Sequence, residues 1–404
     1  MDNKYAKHFL MNAEDAKQYC IDKLTFFNAD NKLACCEIGD GNINYVFKVW
    51  DENTGKSIII KQADKLLRSS GRPLDLHRNK IEAEILQIEG KLAPEYVPTV
   101  YNYDEIMCAL CMEDISAYKN LRTELLAGKT FDKLAEGITS FLANTLLPTT
   151  DLCMNRAEKK ERVKLFTNVE LCDISEDLVF TEPYYNYKKR NIITKGNEDF
   201  VKQHLYQDEK LKCEVGVLRN KFMNNTQALI HGDLHSGSIF ANEDGIKVID
   251  PEFAFYGPMG YDSGNVIGNM FFSWANKAYL DSDNTDFLNW VENSIAKVYD
   301  LFEIKLGEVY DKEVLFPFYQ GEFKQRYIAS VMADTMGLAG TEMIRRVVGD
   351  SKVAEVKSVP EGKVKLQMER ALILTGINFI KKRSKYSCGK EIVDEFKAIV
   401  GDKL

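Results

Sequence analysis

Apolar side chains follow two rhythms along this chain, and the change comes near residue 116. Before it, short runs dominate. Residues 33–38 form an apolar run, residues 44–50 (NYVFKVW) are rich in aromatic and β-branched side chains, and SIIIKQA (57–63) follows a polar turn at 51–56. Residues 76–92 carry apolar side chains at 81, 85, 88 and 92, the spacing of a helix. Two further strands are expected at 97–103 and 106–112, joined by Asp104-Glu105. After a helical opening at 13–24, the order is therefore β-β-β-α-β-β. Beyond residue 116 the pattern is mainly helical, interrupted by short strands between 228 and 250. The expected class is α+β: a small antiparallel-sheet domain over 1–115, with five strands and a helix, and a larger helical one over 116–404.

Length supports the division, because 404 residues exceed what one hydrophobic core usually serves. The chain is 45% hydrophobic and 28% charged, an ordinary globular composition, which excludes disordered and collagen-like readings. A net charge of −8 argues against a surface for nucleic acid or anionic membrane, but leaves room for a locally positive pocket. No apolar stretch approaches the 18 or so residues of a membrane span, and the charged N-terminus has no signal-peptide pattern. Nine cysteines, an odd number scattered along the chain, fit reduced thiols and a cytoplasmic location. The pair Cys108 and Cys111 lies in the apolar run IMCALCME and reads as a buried strand, without a second ligand pair at zinc spacing.

Two features of the first domain suit a nucleotide. Gly39-Asp40-Gly41-Asn42-Ile43-Asn44 joins two strands, and its glycines let backbone N–H groups approach phosphate. A strand follows it, so it is not the dinucleotide fingerprint. Lys61 ends SIIIK on the same strand face as Ile59, where an inward charge needs a partner. Glu82 and Glu84 on the following helix are the candidates, and Glu82 is preferred.

The densest chemistry lies between 228 and 265. The strand Ala228-Leu229-Ile230 runs into His231-Gly232-Asp233-Leu234-His235-Ser236-Gly237-Ser238, and Asp244-Gly245 signals a hairpin. With those two residues as the turn, Ser238 faces Pro251, and Ser238, Asp250 and Glu252 meet at one open end near Asp233. Such a carboxylate cluster requires a cation. Oxygen-only ligands suit Mg²⁺ brought in with phosphates, whereas His231 and His235 offer a transition-metal alternative through H-x-D-x-H.

The glycine loop, strand lysine, helix glutamate, HGD and Asp250-Pro251-Glu252, in that order, resemble the protein-kinase-like fold. The likeness is to its aminoglycoside phosphotransferase and choline kinase branch, with a bilobal architecture. HGDLHSGSIF, VIDPEFAFYGP, EIGDGNINYVF, MED, residues 166–174 (FTNxELCDI) and the late Ile344-Arg345-Arg346 resemble the methylthioribose kinase family over nearly the whole chain. The resemblance implies ATP-dependent phosphorylation of the anomeric hydroxyl of methylthioribose, in methionine salvage, by a homodimer. It implies Asp233 as catalytic and substrate-binding, and Asp250 and Glu252 as Mg²⁺ ligands. For ATP it implies Gly39, Asp40, Gly41, Asn42, Asn44, Lys61 with Glu82, backbone atoms of Met112, Glu113 and Asp114, and the Asp250-Pro251-Glu252 motif. Arg345 and Arg346 would face developing charge and sugar hydroxyls. They lie about 100° apart on a helix, so one of them is expected to point inward, Arg345 by a narrow margin. The branch usually places asparagine where this chain has Ser238, which leaves part of the metal site open. Residues 180–187 (FTEPYYNY) are an aromatic candidate for the methylthio pocket. The alternatives are a kinase of choline, homoserine or an aminoglycoside, and a non-catalytic nucleotide-binding module.

Overall fold

The computed structural model describes residues 4–38, 44–64 and 76–401. The chain divides into two compact units: Met1–Ala117 with Lys247–Phe253, and Tyr118–Ile246 with Ala254–Leu404.

In the first unit, α1 (Ala13–Asp22) precedes β1 (Leu33–Glu37), β2 (Tyr45–Asp51) and β3 (Ser57–Gln62). Then come α2 (His77–Leu92), β4 (Val100–Asp104) and β5 (Ala109–Met112). The strands form one antiparallel sheet in the order β1-β2-β3-β5-β4. Alternation sorts its two faces. Phe47, Val49, Ile58, Ile60, Ala109 and Cys111 form one core with Ala16, Tyr19 and Cys20 of α1. Ile59 and Lys61 therefore point to the other face, where Lys61 meets α2. All six expected elements are present. The β4–β5 turn is longer than expected, because Asp104 accepts hydrogen bonds from the N–H groups of Ile106 and Met107. The turn then runs on to Cys108, whose φ is +48°. Cys108 and Cys111 are buried, and burial pushes the Cys111 thiol well above its ordinary pKa.

The second unit is mainly helical. Its short strands pair β6 (Lys119–Asn120) with β8 (Ile239–Ala241), and β7 (Ala228–Ile230) with β10 (Phe255–Gly257); β9 (Ile246–Val248) starts at Ile246 and continues into the segment that belongs to the first unit. The β8–β9 turn is shifted from the expected one. The Asn242 N–H donates to the Gly245 carbonyl, and the Asn242 side chain accepts from the N–H groups of Asp244 and Gly245. Glu243 and Asp244 are thus the central residues, so the pairing of Ser238 with Pro251 expected from an Asp244-Gly245 turn does not hold.

Four helices frame the chemistry of this unit: α3 (Leu121–Leu126), α4 (Gly260–Leu280), α5 (Glu322–Val348) and α6 (Lys363–Lys382). Gly260, Gly264 and Gly268 form one stripe on α4 that touches the α5 backbone. A Cβ on Gly264 would sit 2.6 Å from the Thr335 carbonyl oxygen and 2.7 Å from the Ala339 nitrogen, so no side chain fits there. The hydroxyls of Ser263 and Thr335 close this seam at 2.6 Å. Backbone proximity here sets α4 side chains directly against α5 side chains, which places Asn269 beside Glu342.

Candidate active site

Each unit carries its own cluster of charged groups. In the first, β3 presents Lys61 and α2 presents Glu82, whose carboxylate accepts from Nζ at 2.8 Å; Glu84 is not the partner. Lys61 also pairs with Asp250. Burial alone would discharge this lysine, but Asp250 and Glu82 hold its pKa above the ordinary lysine value. Four residues before Glu82, one helical turn away on the same face, Arg78 donates to the Asn44 side-chain oxygen at 2.6 Å. The same guanidinium lies 3.4 Å from Glu252. Burial, with Asp250 nearby, pushes Glu252 up to about 8, against the pull of Lys61 and Arg78.

Asp250 adopts φ +70°, a left-handed conformation uncommon for an aspartate and of the kind that concentrates at functional sites. Its side chain is 46% exposed while that of Glu252 is 5% exposed, so the motif presents one carboxylate outward and buries the other. Pro251 between them is buried.

Along the end of β5, the Glu113 N–H donates to the Thr99 carbonyl at 2.8 Å and its carboxylate accepts from the Thr99 N–H. Asp114 accepts from Lys48 and Ser57; despite its burial these partners hold it down to about 2. Gly39, Asp40, Gly41 and Asn42 lie outside the described residues.

The second cluster is built on the turn after β7. Asp262 of α4 accepts from the N–H of His231 at 2.7 Å and of Gly232 at 3.0 Å, and Gly232 takes φ +82°, which a side chain would resist. This arrangement presents Asp233. Arg345 and Arg346 approach its Oδ1 at 3.4 Å and 3.3 Å, and His235 Nε2 lies 3.4 Å from Oδ2. Burial favours a neutral Asp233, but His235, which is charged at the low pH where this carboxyl titrates, and the two guanidiniums outweigh it and hold the carboxyl far below its usual range. His235 Nδ1 accepts from the N–H groups of Gly237 and Ser238, so its proton sits on Nε2. Burial lowers its pKa to about 4 and keeps it neutral.

The helical-wheel argument for a single inward arginine fails here, because Glu342 sits three and four residues before the pair. Its carboxylate accepts from Arg345 Nε and, at 2.9 Å, from Arg346 Nε, which draws both side chains to one place. Ser238 turns inward as well, its hydroxyl donating to the Asp233 carbonyl at 3.1 Å.

With this geometry in hand, relatives decide the family. The profile described as "Phosphotransferase enzyme family" matches residues 170–293. The methylthioribose kinase of Geobacillus sp. (strain WCH70) is 37% identical, over 92% of this chain and 91% of its own. That of Escherichia coli O45:K1 (strain S88 / ExPEC) is 38% identical over 83% of each. The chain belongs to the methylthioribose kinase family. It is accordingly a kinase, of α+β protein-kinase-like class, with the antiparallel sheet in one unit and most helices in the other. Among solved structures, choline kinase from Cryptosporidium parvum Iowa II aligns over 90% of this chain and 97% of that one, at TM-score 0.49 and 15% identity.

Four residues absent from the sequence reading organise this kinase's two clusters: Arg78, Asp262, Arg122 and Glu342. Arg78 had a signal, its spacing of four from Glu82 on α2. Asp262 and Glu342 act across helix contacts that no local pattern announces. Arg122, on α3, donates to the Ser236 hydroxyl at 3.1 Å and to Asn269 at 3.0 Å, and stands 3.7 Å from Glu355. The aromatic stretch at 180–187 contributes Phe180, Tyr184 and Tyr185 to a cleft of about 500 Å³. Asp233, Arg345 and Arg346 do not line that cleft. Among the described residues, no cluster of three or more His, Cys, Asp or Glu is arranged to hold a metal, and no helix is long and apolar enough to cross a membrane.

Proposed function

We propose that this kinase transfers the terminal phosphoryl group of ATP to the anomeric hydroxyl of S-methyl-5-thioribose, a step of methionine salvage. The unit holding the sheet serves the nucleotide and the helical unit serves the sugar. The observation that carries the reading is the pair of guanidiniums on Asp233. Two cations there favour a neutral sugar over choline or an aminoglycoside, whose own positive charge they would repel. The curated relatives' names give the same acceptor.

Asp233 orients the attacking hydroxyl and takes its proton as the oxygen–phosphorus bond forms. Arg345 and Arg346 stabilise charge on the transferring phosphoryl oxygens and hold sugar hydroxyls. Lys61, kept charged by Glu82, contacts the α- and β-phosphates, while Asn44 and the Gly39–Asn42 loop cover them. Backbone atoms of Met112–Asp114 receive adenine. The all-oxygen donor set of Asp250 and Glu252 suits a hard divalent cation, and bound there Mg²⁺ would neutralise charge on the β- and γ-phosphates. The reading includes a cytoplasmic homodimer; light scattering of the purified chain tests the dimer.

The central test is coupled ADP release with Mg²⁺ and methylthioribose, ribose, choline, homoserine or an aminoglycoside as acceptor. Methylthioribose should exceed ribose by about 10–100-fold in kcat/KM, the value of burying one methyl group and a sulfur. Equal turnover of ribose or choline removes this substrate assignment, and release of no ADP with any acceptor leaves a nucleotide-binding module.

A further inference from the structure

Glu342 is wholly buried, and among the described residues its carboxylate takes its hydrogen bonds from two arginines and one amide. Its Oε2 accepts from Arg345 Nε; its Oε1 accepts from Arg346 Nε and, at 3.1 Å, from the Asn269 side-chain amide. Asn269 in turn accepts from Arg122 and from the hydroxyl of Ser236. Ser236 belongs to the same loop as Asp233, and its carbonyl accepts from the Arg122 N–H at 3.1 Å. One continuous set of hydrogen bonds therefore runs from the loop bearing Asp233, through Asn269, to the carboxylate that holds both guanidiniums. Burial opposes ionisation of Glu342, but Arg345 and Arg346 hold it down to about 2.

The geometry of each arginine is divided. The Nε edge is committed to Glu342 and a terminal nitrogen reaches Asp233 Oδ1. A guanidinium is a planar fork, so fixing one edge fixes the direction of the others. An arginine fixed at Nε can exchange what its terminal nitrogens touch without moving its base. We propose that Glu342 is a positioning residue that makes Arg345 and Arg346 a single element. It holds both by their Nε edges so that their outer nitrogens converge on the Asp233 carboxylate and are already aimed when the phosphoryl group arrives. The proposal rests on the reading of Asp233 as the acceptor-side residue, and it adds that the pair works as a unit whose alignment depends on one buried carboxylate.

Kinetics of Glu342→Gln and Glu342→Asp beside the parent enzyme test this, with thermal unfolding followed on the same samples. Glutamine keeps the shape but loses the charge that holds two cations. It should lower kcat with methylthioribose about 30–100-fold while KM for ATP stays within about twofold. Aspartate keeps the charge on a shorter arm and should recover part of that loss. In the parent, Arg345→Ala and Arg346→Ala should be strongly non-additive; combined with Glu342→Gln, each should cost much less than it does alone.

A glutamine variant with kcat within about threefold of the parent overturns the proposal. So does a parallel rise in KM for ATP, which would mark a general loss of structure, and so do arginine effects that simply add. Should the glutamine variant fail to unfold cooperatively, the aspartate variant and the arginine cycle in the parent decide, and additivity there is the overturning result. Failure of the parent to use methylthioribose breaks the functional reading instead, and the same cycle is then run with whichever acceptor the parent does use.

Discussion

The two charged clusters share a vocabulary and differ in balance. In the first unit, Glu82, Asp250 and Glu252 face Lys61 and Arg78, three carboxylates against two cations. In the second, Asp233 and Glu342 face Arg345 and Arg346 two against two, with Arg122 near Glu355 and Asp262 held by backbone N–H groups. The difference appears in the individual groups: Glu252 is pushed up to about 8, whereas Glu342 is held down to about 2, although both are buried. Burial is common to them, and each has two cations in reach. The sign is decided by how closely those cations bind and by the other carboxylates, Asp250 and Glu82 beside Glu252 against Asp233 alone beside Glu342. A cluster one positive charge short is suited to receive a cation. A cluster whose guanidinium ends are held toward one carboxylate is suited to meet new negative charge.

Variants can break this contrast, the most damaging first. Asp250→Ala should abolish Mg²⁺-dependent turnover, and Asp233→Asn should lower kcat by at least about 10²-fold while ATP binding persists. Titration calorimetry with nucleotide separates them; if both variants lose ATP equally, the division of labour between the clusters is wrong. Gly264→Ala should destabilise the protein by about 3 kcal/mol or more, because the new methyl group meets α5 backbone rather than a yielding side chain. An unchanged melting temperature would deny that close approach.

His235 sharpens the contrast through pH. Unfolded, it takes up a proton near pH 6.5; folded, it stays neutral down to about 4. Between those values the unfolded chain binds more protons, so stability should fall as pH drops from about 6.5 to 4, by about 3 kcal/mol. His235→Asn should flatten that part of a denaturation series, and an unchanged slope would assign the loss to other groups. The smallest effect is expected of Ser238→Ala. Its hydroxyl braces the Asp233 carbonyl, so kcat should fall only a few-fold. A loss as complete as that of Asp250→Ala would make Ser238 a metal ligand.

Legibility followed locality. Strict alternation in SIIIK announced which way Lys61 points, and helical spacing at 81, 85, 88 and 92 announced α2 and with it Glu82. The HGD stretch stood out because so many polar residues between apolar strands have no structural reason to be there. Arg345 and Arg346 were visible as a pair, but their convergence was not, since it depends on Glu342 and on Asn269 from another helix. The β8–β9 turn was misplaced by one residue because Asp-Gly is a strong general signal, while the side chain of Asn242 stabilises the neighbouring choice. The β4–β5 turn overran for the same reason, an aspartate binding two successive amides.

The assignment of Lys247–Phe253 to the first unit has a consequence for how the protein is made. As the chain leaves the ribosome, the sheet is synthesised early. The residues that bring Asp250 and Glu252 to Lys61 and Arg78 emerge only after the whole of Tyr118–Ile246. Until then Lys61 has Glu82 but not Asp250, and Arg78 has Asn44 but not Glu252. Domains ordinarily mature one after another during synthesis. Here the earlier one must wait for the later, so a nascent chain stalled before residue 247 should bind nucleotide poorly however well its sheet has formed.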